Sequence, residues 1–176
     1  MTSNDAILDV ILRDATVDVF GYYGVALRPQ GPSPAISVDS HDAVGVIGFT
    51  GTGLRGTLVI ATSSGLVARM EPLTGMAHIP LRDRIRDWVG ELSNLVLGRV
   101  KVGLGHHGVV VGLSTPVAFT GEHLRLGAVQ VSRTRSWDFA SPEGEVRVWL
   151  EAEIEENVLL VSIPGPDLTA GEPVLF

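Results

Sequence analysis

The hydrophobic pattern near the start of the chain predicts an amphipathic helix. Ser3 or Asn4 offers a side-chain oxygen that can cap its first turn. The helix is expected to end near Gly21–Gly24, before a loop from Pro29 to Pro34. Apolar side chains recur at the three- and four-residue steps of one helix face, at Ile7, Leu8, Ile11, Leu12, Ala15, Val19 and Phe20.

A β-hairpin and two further helices are predicted next. Residues 43–50 and 55–62 are β-rich runs joined by a glycine-rich turn, which is the pattern of two paired strands. Residues 63–70 predict a short helix that one of its first two serines can cap. A longer helix is predicted from Pro80 to about Val102, because proline is well tolerated in a first turn, where its missing N–H has no partner to lose.

The second half of the chain predicts further strands. Apolar segments lie at residues 108–113, after Pro116, and at 124–137, 146–154 and 158–163. Within 146–154 apolar residues alternate with Arg147, Trp149, Glu151 and Glu153, which predicts a strand with one wet face. A tail rich in proline and glycine covers residues 164–176. This order predicts a single α+β domain over residues 1–176, an antiparallel β-sheet with two long helices.

A weak internal repeat is compatible with two related halves. A shift of 73 places aligns Asp14, Asp18 and Gly21 of the first helix with Asp87, Glu91 and Asn94 of the long one. The acids persist in kind, but the first copy has no amide. With so few matched positions, a true repeat and a coincidence between two amphipathic helices both remain open.

One face of the long helix carries the candidate functional residues. At 100° per residue, Glu91, Asn94 and Gly98 lie within about 40° of Asp87. Gly90 and Gly98 each weaken a helix interior by about 1 kcal/mol relative to alanine, which predicts that something approaches this helix closely. The apolar stripe that anchors the helix lies on another side, at Leu81, Ile85, Trp88, Leu92 and Val96.

Composition argues against several classes of protein. The net charge of −7 argues against a nucleic-acid-binding protein, which needs a basic surface. Arg82, Arg84 and Arg86 spread around the helix and are interpreted as solvated side chains that flank Asp83 and Asp87. The chain has no cysteine, which excludes disulfides, thiol catalysis and thiolate metal sites. No secretory signal and no apolar run of about 20 residues is visible, so we expect a cytoplasmic protein without membrane insertion.

Two local motifs have simpler interpretations than a binding site. Residues 51–56 read GTGLRG, the letters of a dinucleotide-binding fingerprint, but that motif needs a helix where this chain has a β-branched run. A hairpin turn is therefore predicted. His106 and His107 are adjacent in a glycine-rich segment and cannot easily point at one ion, so a solvated loop is predicted in place of a zinc site. Ser93 and Ser114 have no base placed nearby, and no acyl-transfer triad is predicted.

The long helix also carries a family signature. Residues 91–94, Glu-Leu-Ser-Asn, follow Asp87 by one helical turn and precede Gly98, and Pro116 comes about twenty residues later. This arrangement resembles the signature of the CheC/CheX/FliY chemotaxis phosphatases. The chain is most similar to the CheX-like members because it has one complete signature. Further matches occur in the expected order at residues 17–20, in the turn 48–51 that leads to Gly56, and at residues 114–117.

The resemblance implies a phosphatase that hydrolyses the aspartyl phosphate of a CheY-like response regulator. Asn94 would orient the attacking water, because a carboxamide offers both a donor and an acceptor. Glu91 would pair with the lysine in the active site of the regulator. Asp87, Gly90 and Gly98 are expected to contact the partner, with an interaction between Asp87 and nearby arginines as the equal alternative. No cofactor is expected in this chain, since the regulator would supply Mg²⁺, and a homodimer is expected.

Two departures from the family pattern leave a second function open. Ser93 stands where the family usually has glycine, and Pro116 lies about one residue closer to Asn94 than usual. The alternative is a non-catalytic module that binds a response regulator, or assembles with itself, without speeding hydrolysis. A third interpretation, a structural dimer with a merely wet helix face, gives Gly90, Asn94 and Gly98 no purpose.

Overall fold

The described part of the protein folds as an antiparallel sheet of seven strands with its helices on one face. The computed structural model describes residues 3–32, 41–71, 78–122, 124, 134–155 and 158–160. The predicted tail, residues 164–176, most of the apolar segment 124–137 and the second half of the segment 158–163 lie outside these residues. The described part of the last segment, residues 158–160, does not form the predicted strand. The elements are α1 (Ser3–Tyr22), β1 (Arg28–Pro32), β2 (Ala43–Gly51), β3 (Leu54–Thr62), α2 (Ser64–Met70), α3 (Leu81–Gly105), β4 (Val111–Leu113), β5 (Val117–Thr120), β6 (Thr134–Ser141) and β7 (Gly144–Ile154).

The predicted first helix is confirmed. Of its two candidate caps, Asn4 is wrong, and the side chain of Ser3 lies outside what the structure describes. Asn4 lies inside α1, and its side-chain amide donates to the carbonyl oxygen of Val158 at 2.8 Å. Its side-chain oxygen accepts from the N–H of Leu160 at 2.9 Å. Both bonds tie the start of α1 to the chain beyond β7. The helix ends at Tyr22, and Gly24 follows with a φ of 80°, a left-handed conformation that glycine adopts without strain.

The predicted hairpin and short helix are confirmed. β2 and β3 pair from Ala43 opposite Thr62 down to Gly51 opposite Leu54, so GTGLRG is the turn of a hairpin. Ser63 caps α2, because its side-chain oxygen accepts from the N–H of Leu66 at 3.2 Å.

The order of strands in the sheet is β1-β6-β7-β3-β2, and both β4 and β5 pair with the outer side of β2. The prediction of a loop from Pro29 to Pro34 is wrong for its first part, because Arg28–Pro32 forms β1 and pairs with β6. Proline is tolerated in an outermost strand, where one side of the backbone needs no ladder partner. A bulge between Pro29 and Gly31 interrupts the register.

The two faces of the sheet are both partly covered. The alternation in β7 is confirmed, since Val146, Val148 and Leu150 lie in the main core. The prediction that the other face of β7 is wet is wrong at Trp149, which is only 2% exposed. Its ring packs with Val44, Val59 and Ala61 of neighbouring strands, in a small cluster on the face away from the helices.

The long helix is confirmed with two adjustments. α3 continues to Gly105, slightly beyond the predicted end near Val102. Leu81 is 54% exposed, so its predicted place in the anchoring stripe is wrong. It is the first residue of the helix, and the sheet contact begins one turn later at Ile85. No helix among the described residues is long and apolar enough to cross a membrane.

Candidate functional site

The predicted functional face of α3 lies at the surface. Asp87 and Glu91 are exposed, and Asn94 and Gly98 are half-buried. We call these four residues the polar stripe. The other side of the helix is anchored by residues that are at most 6% exposed, Ile85, Val89, Leu92, Val96 and Val100. Neither Glu91 nor Asn94 is therefore packed beneath the sheet.

The helix lies unusually close to β2. A Cβ built on Gly45 would be only 2.6 Å from the carbonyl oxygen of Val89 and would collide with the Ser93 hydroxyl. Atoms of a real side chain could not occupy that space, so Gly45 permits the contact. α3 is consequently fixed against the sheet along the side opposite the polar stripe.

Ser93 belongs to this internal contact. It is fully buried, and its hydroxyl donates to the carbonyl oxygen of Val89 at 2.9 Å. A residue two positions from Glu91 is turned about 200° from it around a helix. Serine in place of the family's glycine therefore adds a hydroxyl on the side of α3 that faces the sheet. It adds no group to the polar stripe.

Gly90 also faces the interior. It is buried, and a Cβ there would lie 3.5 Å from the Cβ of Ala118 and 4.0 Å from Pro116. Close packing of the β5 segment thus gives an internal reason for a small residue. That Gly90 contacts a partner stays a prediction, and any such effect would act through the packing of β5.

The two ends of the polar stripe differ. A Cβ built on Gly98 would meet nothing within 4 Å, so the space above this glycine is open. Asp87 lies 3.5 Å from the guanidinium of Arg86, which also pairs with Asp83 at 3.1 Å. The predicted interaction of Asp87 with an arginine is present, while most of its side chain still faces solvent.

An aromatic group that the sequence interpretation missed adjoins the polar stripe. Tyr22 meets Tyr23 edge-on with ring centroids 5.0 Å apart, and Tyr23 meets Trp88 edge-on at 5.1 Å. We call Tyr22, Tyr23 and Trp88 the aromatic row. Burial raises the pKa of the Tyr23 phenol, and electrostatic interactions with Tyr22 and Glu91 raise it further. The carboxylate of Glu91 therefore acts electrostatically on the phenol of Tyr23.

Other elements flank the polar stripe on both sides. α1 lies antiparallel to α3 on one side, because Ile11 packs against Gly103 while Tyr23 packs against Trp88. At 100° per residue, Trp88 lies about 100° to one side of Asp87 and Gly90 about 60° to the other. The stripe is accordingly flanked by α1 and the aromatic row on one side and by β5 on the other.

The three arginines in the first two turns of α3, Arg82, Arg84 and Arg86, do not form a basic patch, in agreement with the prediction. Arg84, however, is not solvated. Arg82 donates to the carbonyl oxygen of Thr120 at 3.1 Å. Arg84 donates twice to the carboxylate of Glu71, at 2.7 and 2.6 Å, in a largely buried pair. The bonds from Arg84 lower the pKa of Glu71 below its usual value. This pair ties the end of α2 to α3.

The GTGLRG segment has no features of a nucleotide site. Gly53 has a φ of 72° in the tight turn, and Arg55 pairs across the strands with Glu153 at 2.8 Å. Strand β3 follows where the fingerprint needs a helix. His106 and His107 lie at the end of α3. Within the described part of the chain, no group of three or more His, Asp or Glu residues is placed to hold a metal ion.

Similarity to known proteins covers the elements that form the candidate site. A family model described as chemotaxis phosphatase CheX matches residues 43–135, more than half of the 176-residue chain. This range contains the hairpin, α3, β4 and β5. A relative, CheY-P phosphatase CheX of Thermotoga maritima, is 28% identical over 106 residues, which cover 58% of this chain and 68% of the relative.

Solved structures share the fold. A chemotaxis protein CheX from Desulfovibrio desulfuricans matches with a TM-score of 0.71 at 21% identity, covering 83% of this chain and 99% of that chain. The CheX–CheY–BeF₃–Mg²⁺ complex from Borrelia burgdorferi matches with a TM-score of 0.64 at 14% identity, covering 81% and 96% of the two chains. The signature on α3, the surrounding fold and the family match agree, and the chain belongs to the CheX family of chemotaxis phosphatases.

Proposed function

We propose that this chain hydrolyses the aspartyl phosphate of a CheY-like response regulator, with the polar stripe entering the active site of the regulator. The main support is that Glu91 and Asn94 project from adjacent turns, while Leu92 and Ser93 between them are fully buried. The buried pair holds the backbone of the outward pair in place, which lowers the cost of presenting them to a partner. The name of the Thermotoga relative and the CheY in the Borrelia complex motivate the choice of partner.

The reaction needs little from this chain. Water attacks phosphorus, the bond from phosphorus to the aspartate oxygen breaks, and free aspartate and inorganic phosphate result. Because an acyl phosphate is already activated, catalysis consists mainly of positioning the water and stabilising charge. The carboxamide of Asn94 can accept a hydrogen bond from the water and donate to an oxygen of the phosphoryl group. Mg²⁺ belongs to the regulator in this proposal.

Glu91 supplies the docking contact. An exposed carboxylate suits a charge-assisted bond to the lysine of the regulator, and that bond would fix the registry of the two proteins. Asp87 adds a second negative charge at the same end. The polar stripe is about 16 Å long, which suits contact with a protein surface better than enclosure of a small metabolite.

The two departures from the family pattern lie away from the polar stripe and do not count against catalysis. The Ser93 hydroxyl is bonded to the Val89 carbonyl on the sheet side of α3. Pro116 packs near Gly90 on the flank of the helix. Neither residue blocks the exposed side chain of Glu91 or the half-buried side chain of Asn94, so the proposed chemistry remains available.

The experiment measures phosphate release from receiver domains of the same genome, each phosphorylated with acetyl phosphate. Wild-type protein should accelerate release from at least one of them. Asn94→Ala should slow turnover by about 10²-fold or more, as expected for loss of one preorganised polar group. Glu91→Ala should mainly raise the KM. Arg99→Ala, an exposed α3 residue outside the polar stripe, is the matched control and should leave both constants unchanged.

The outcomes separate the candidate functions. Unchanged turnover in Asn94→Ala contradicts the role of the amide, and unchanged KM and turnover in Glu91→Ala contradict the docking role. Binding of a phosphorylated receiver without faster release would favour the non-catalytic module.

The family resemblance also motivates two coarser proposals. We propose that the protein acts in the cytoplasm, where its regulator would be phosphorylated, and that it forms a homodimer. Sedimentation equilibrium at several protein concentrations tests the dimer, and a constant monomer mass would contradict it.

A further inference from the structure

Tyr22 is a large aromatic side chain that projects from the end of α1. It is 73% exposed, yet its ring rests edge-on against Tyr23 with an interplanar angle of 84°. Tyr23 in turn rests edge-on against Trp88 at 85°. Edge-to-face contacts of this kind are favourable, so the exposed ring is held by its neighbours. A partner that contacts Tyr22 therefore immobilises little additional side-chain freedom.

The aromatic row is continuous with the polar stripe. Trp88 directly follows Asp87 in α3, and Glu91 lies three residues further on, at the spacing of neighbours on one helix side. Glu91 also contributes electrostatically to the raised pKa of Tyr23, which agrees with this placement. A protein surface that brings a lysine to Glu91 therefore also lies beside Tyr23 and Trp88.

The chemistry of Tyr22 suits a protein partner. A tyrosine combines an apolar ring with a polar hydroxyl, and tyrosine is among the residues that contribute most to protein interfaces. The polar stripe offers charged and amide groups but no exposed apolar anchor. The aromatic row supplies such an anchor beside it.

We infer that Tyr22, presented by Tyr23 and Trp88, is a second docking contact for the phosphorylated receiver domain, beside the contact at Glu91. This inference rests on the proposed function and deepens it. It divides the work between two regions: Asn94 acts on the reacting group, and Tyr22 contributes to capture of the receiver only.

The experiment compares steady-state kinetics of Tyr22→Ala and wild type with the acetyl-phosphate-phosphorylated receiver. Tyr22→Ala should raise the KM about tenfold with kcat within about twofold, the pattern for loss of binding that is equal in ground and transition states. Tyr22→Phe retains the ring and should stay close to wild type. Val110→Ala, at a residue that is 76% exposed before β4, is the control for truncation of an exposed apolar side chain.

Thermal melts of the four proteins show whether Tyr22→Ala is folded, and direct binding of the receiver mimic with beryllofluoride gives a second measure of affinity. Unchanged KM and affinity in Tyr22→Ala, with turnover still lost in Asn94→Ala, would overturn the second contact and leave the proposed function standing. A wild-type protein that neither binds nor dephosphorylates any receiver would overturn both.

Discussion

Replacement of Gly45 by alanine tests how the structure fixes the helix that carries the polar stripe. The added Cβ would collide with the Ser93 hydroxyl and would lie 2.6 Å from the carbonyl oxygen of Val89. The serine hydroxyl can rotate away, but the carbonyl belongs to the backbone of α3. The helix must therefore move away from β2 to accommodate the methyl group.

The size of the effect follows from the burial of this contact. Overpacking of a core costs about 1–3 kcal/mol, and occasionally more. Val89 and Ser93 are both fully buried, and one of the two obstructing atoms is backbone, so we expect a loss near 3 kcal/mol in the free energy of unfolding. For a chain of this size each kcal/mol lowers the melting temperature by roughly 2–4 °C, which gives a decrease of about 6–12 °C.

Urea unfolding followed by circular dichroism measures this loss for Gly45→Ala, Ser93→Ala and the double variant. Ser93→Ala removes the hydroxyl but leaves the Val89 carbonyl in place, so the double variant should recover only part of the loss. A loss in Gly45→Ala below about 0.5 kcal/mol, the usual scatter of surface substitutions, would refute the close contact. Full recovery in the double variant would show that the backbone carbonyl is not the obstacle.

Two further predictions concern other parts of α3. Gly98→Ala should raise the free energy of unfolding by up to about 1 kcal/mol, because the site is open, while raising the KM for the receiver if a partner approaches there; a destabilised variant in thermal melts would contradict the open space. Arg84 lowers the pKa of Glu71 below its usual 4.5, so the charged pair stabilises the fold fully above that pH and progressively less as the pH falls through the lower folded value. Glu71→Gln should therefore melt below wild type at pH 7, and the difference should shrink in melts below about pH 4.5; a difference that does not change with pH would contradict the pair's contribution.

The elements that sequence predicts well are those with a local signal. α1 and α3 follow from helical spacing of apolar residues, and the hairpin follows from two β-rich runs around a glycine turn. Ser63 is a cap by virtue of its own side chain. The exposed position of Glu91 follows from the same helical spacing, because burial of one side of a helix leaves the opposite side to solvent.

The incorrect predictions concern residues whose structure depends on strands that are distant in sequence. Pro29 indicates a loop when considered alone, but β6 lies alongside and makes the segment a strand. Trp149 alternates with core residues, and only contact with neighbouring strands shows that its own face is covered. These facts concern strand order, which periodicity along the chain does not contain.

The candidate site likewise contains features that the sequence predicts and features that depend on packing between distant elements. The residues of the polar stripe follow from their spacing and from the family resemblance. The aromatic row was missed because Tyr23 and Trp88 are far apart in sequence and meet only when α1 packs antiparallel to α3. Gly90 carries no sign in the sequence that its neighbour is β5. A small residue in a helix indicates close approach, but it does not say from which side.

The strand β1 has a consequence for assembly. It is the terminal strand of the described sheet on the side of β6, and two of its five residues, Pro29 and Pro32, have no N–H to offer a further strand. Its bulge also distorts the hydrogen-bonding register. This edge of the described sheet is therefore poorly suited to pairing with a further strand, which disfavours edge-to-edge aggregation into fibrils. Two copies that paired through the same strand at the opposite edge of the sheet would form a closed dimer, because neither copy would have a second edge free for a further strand.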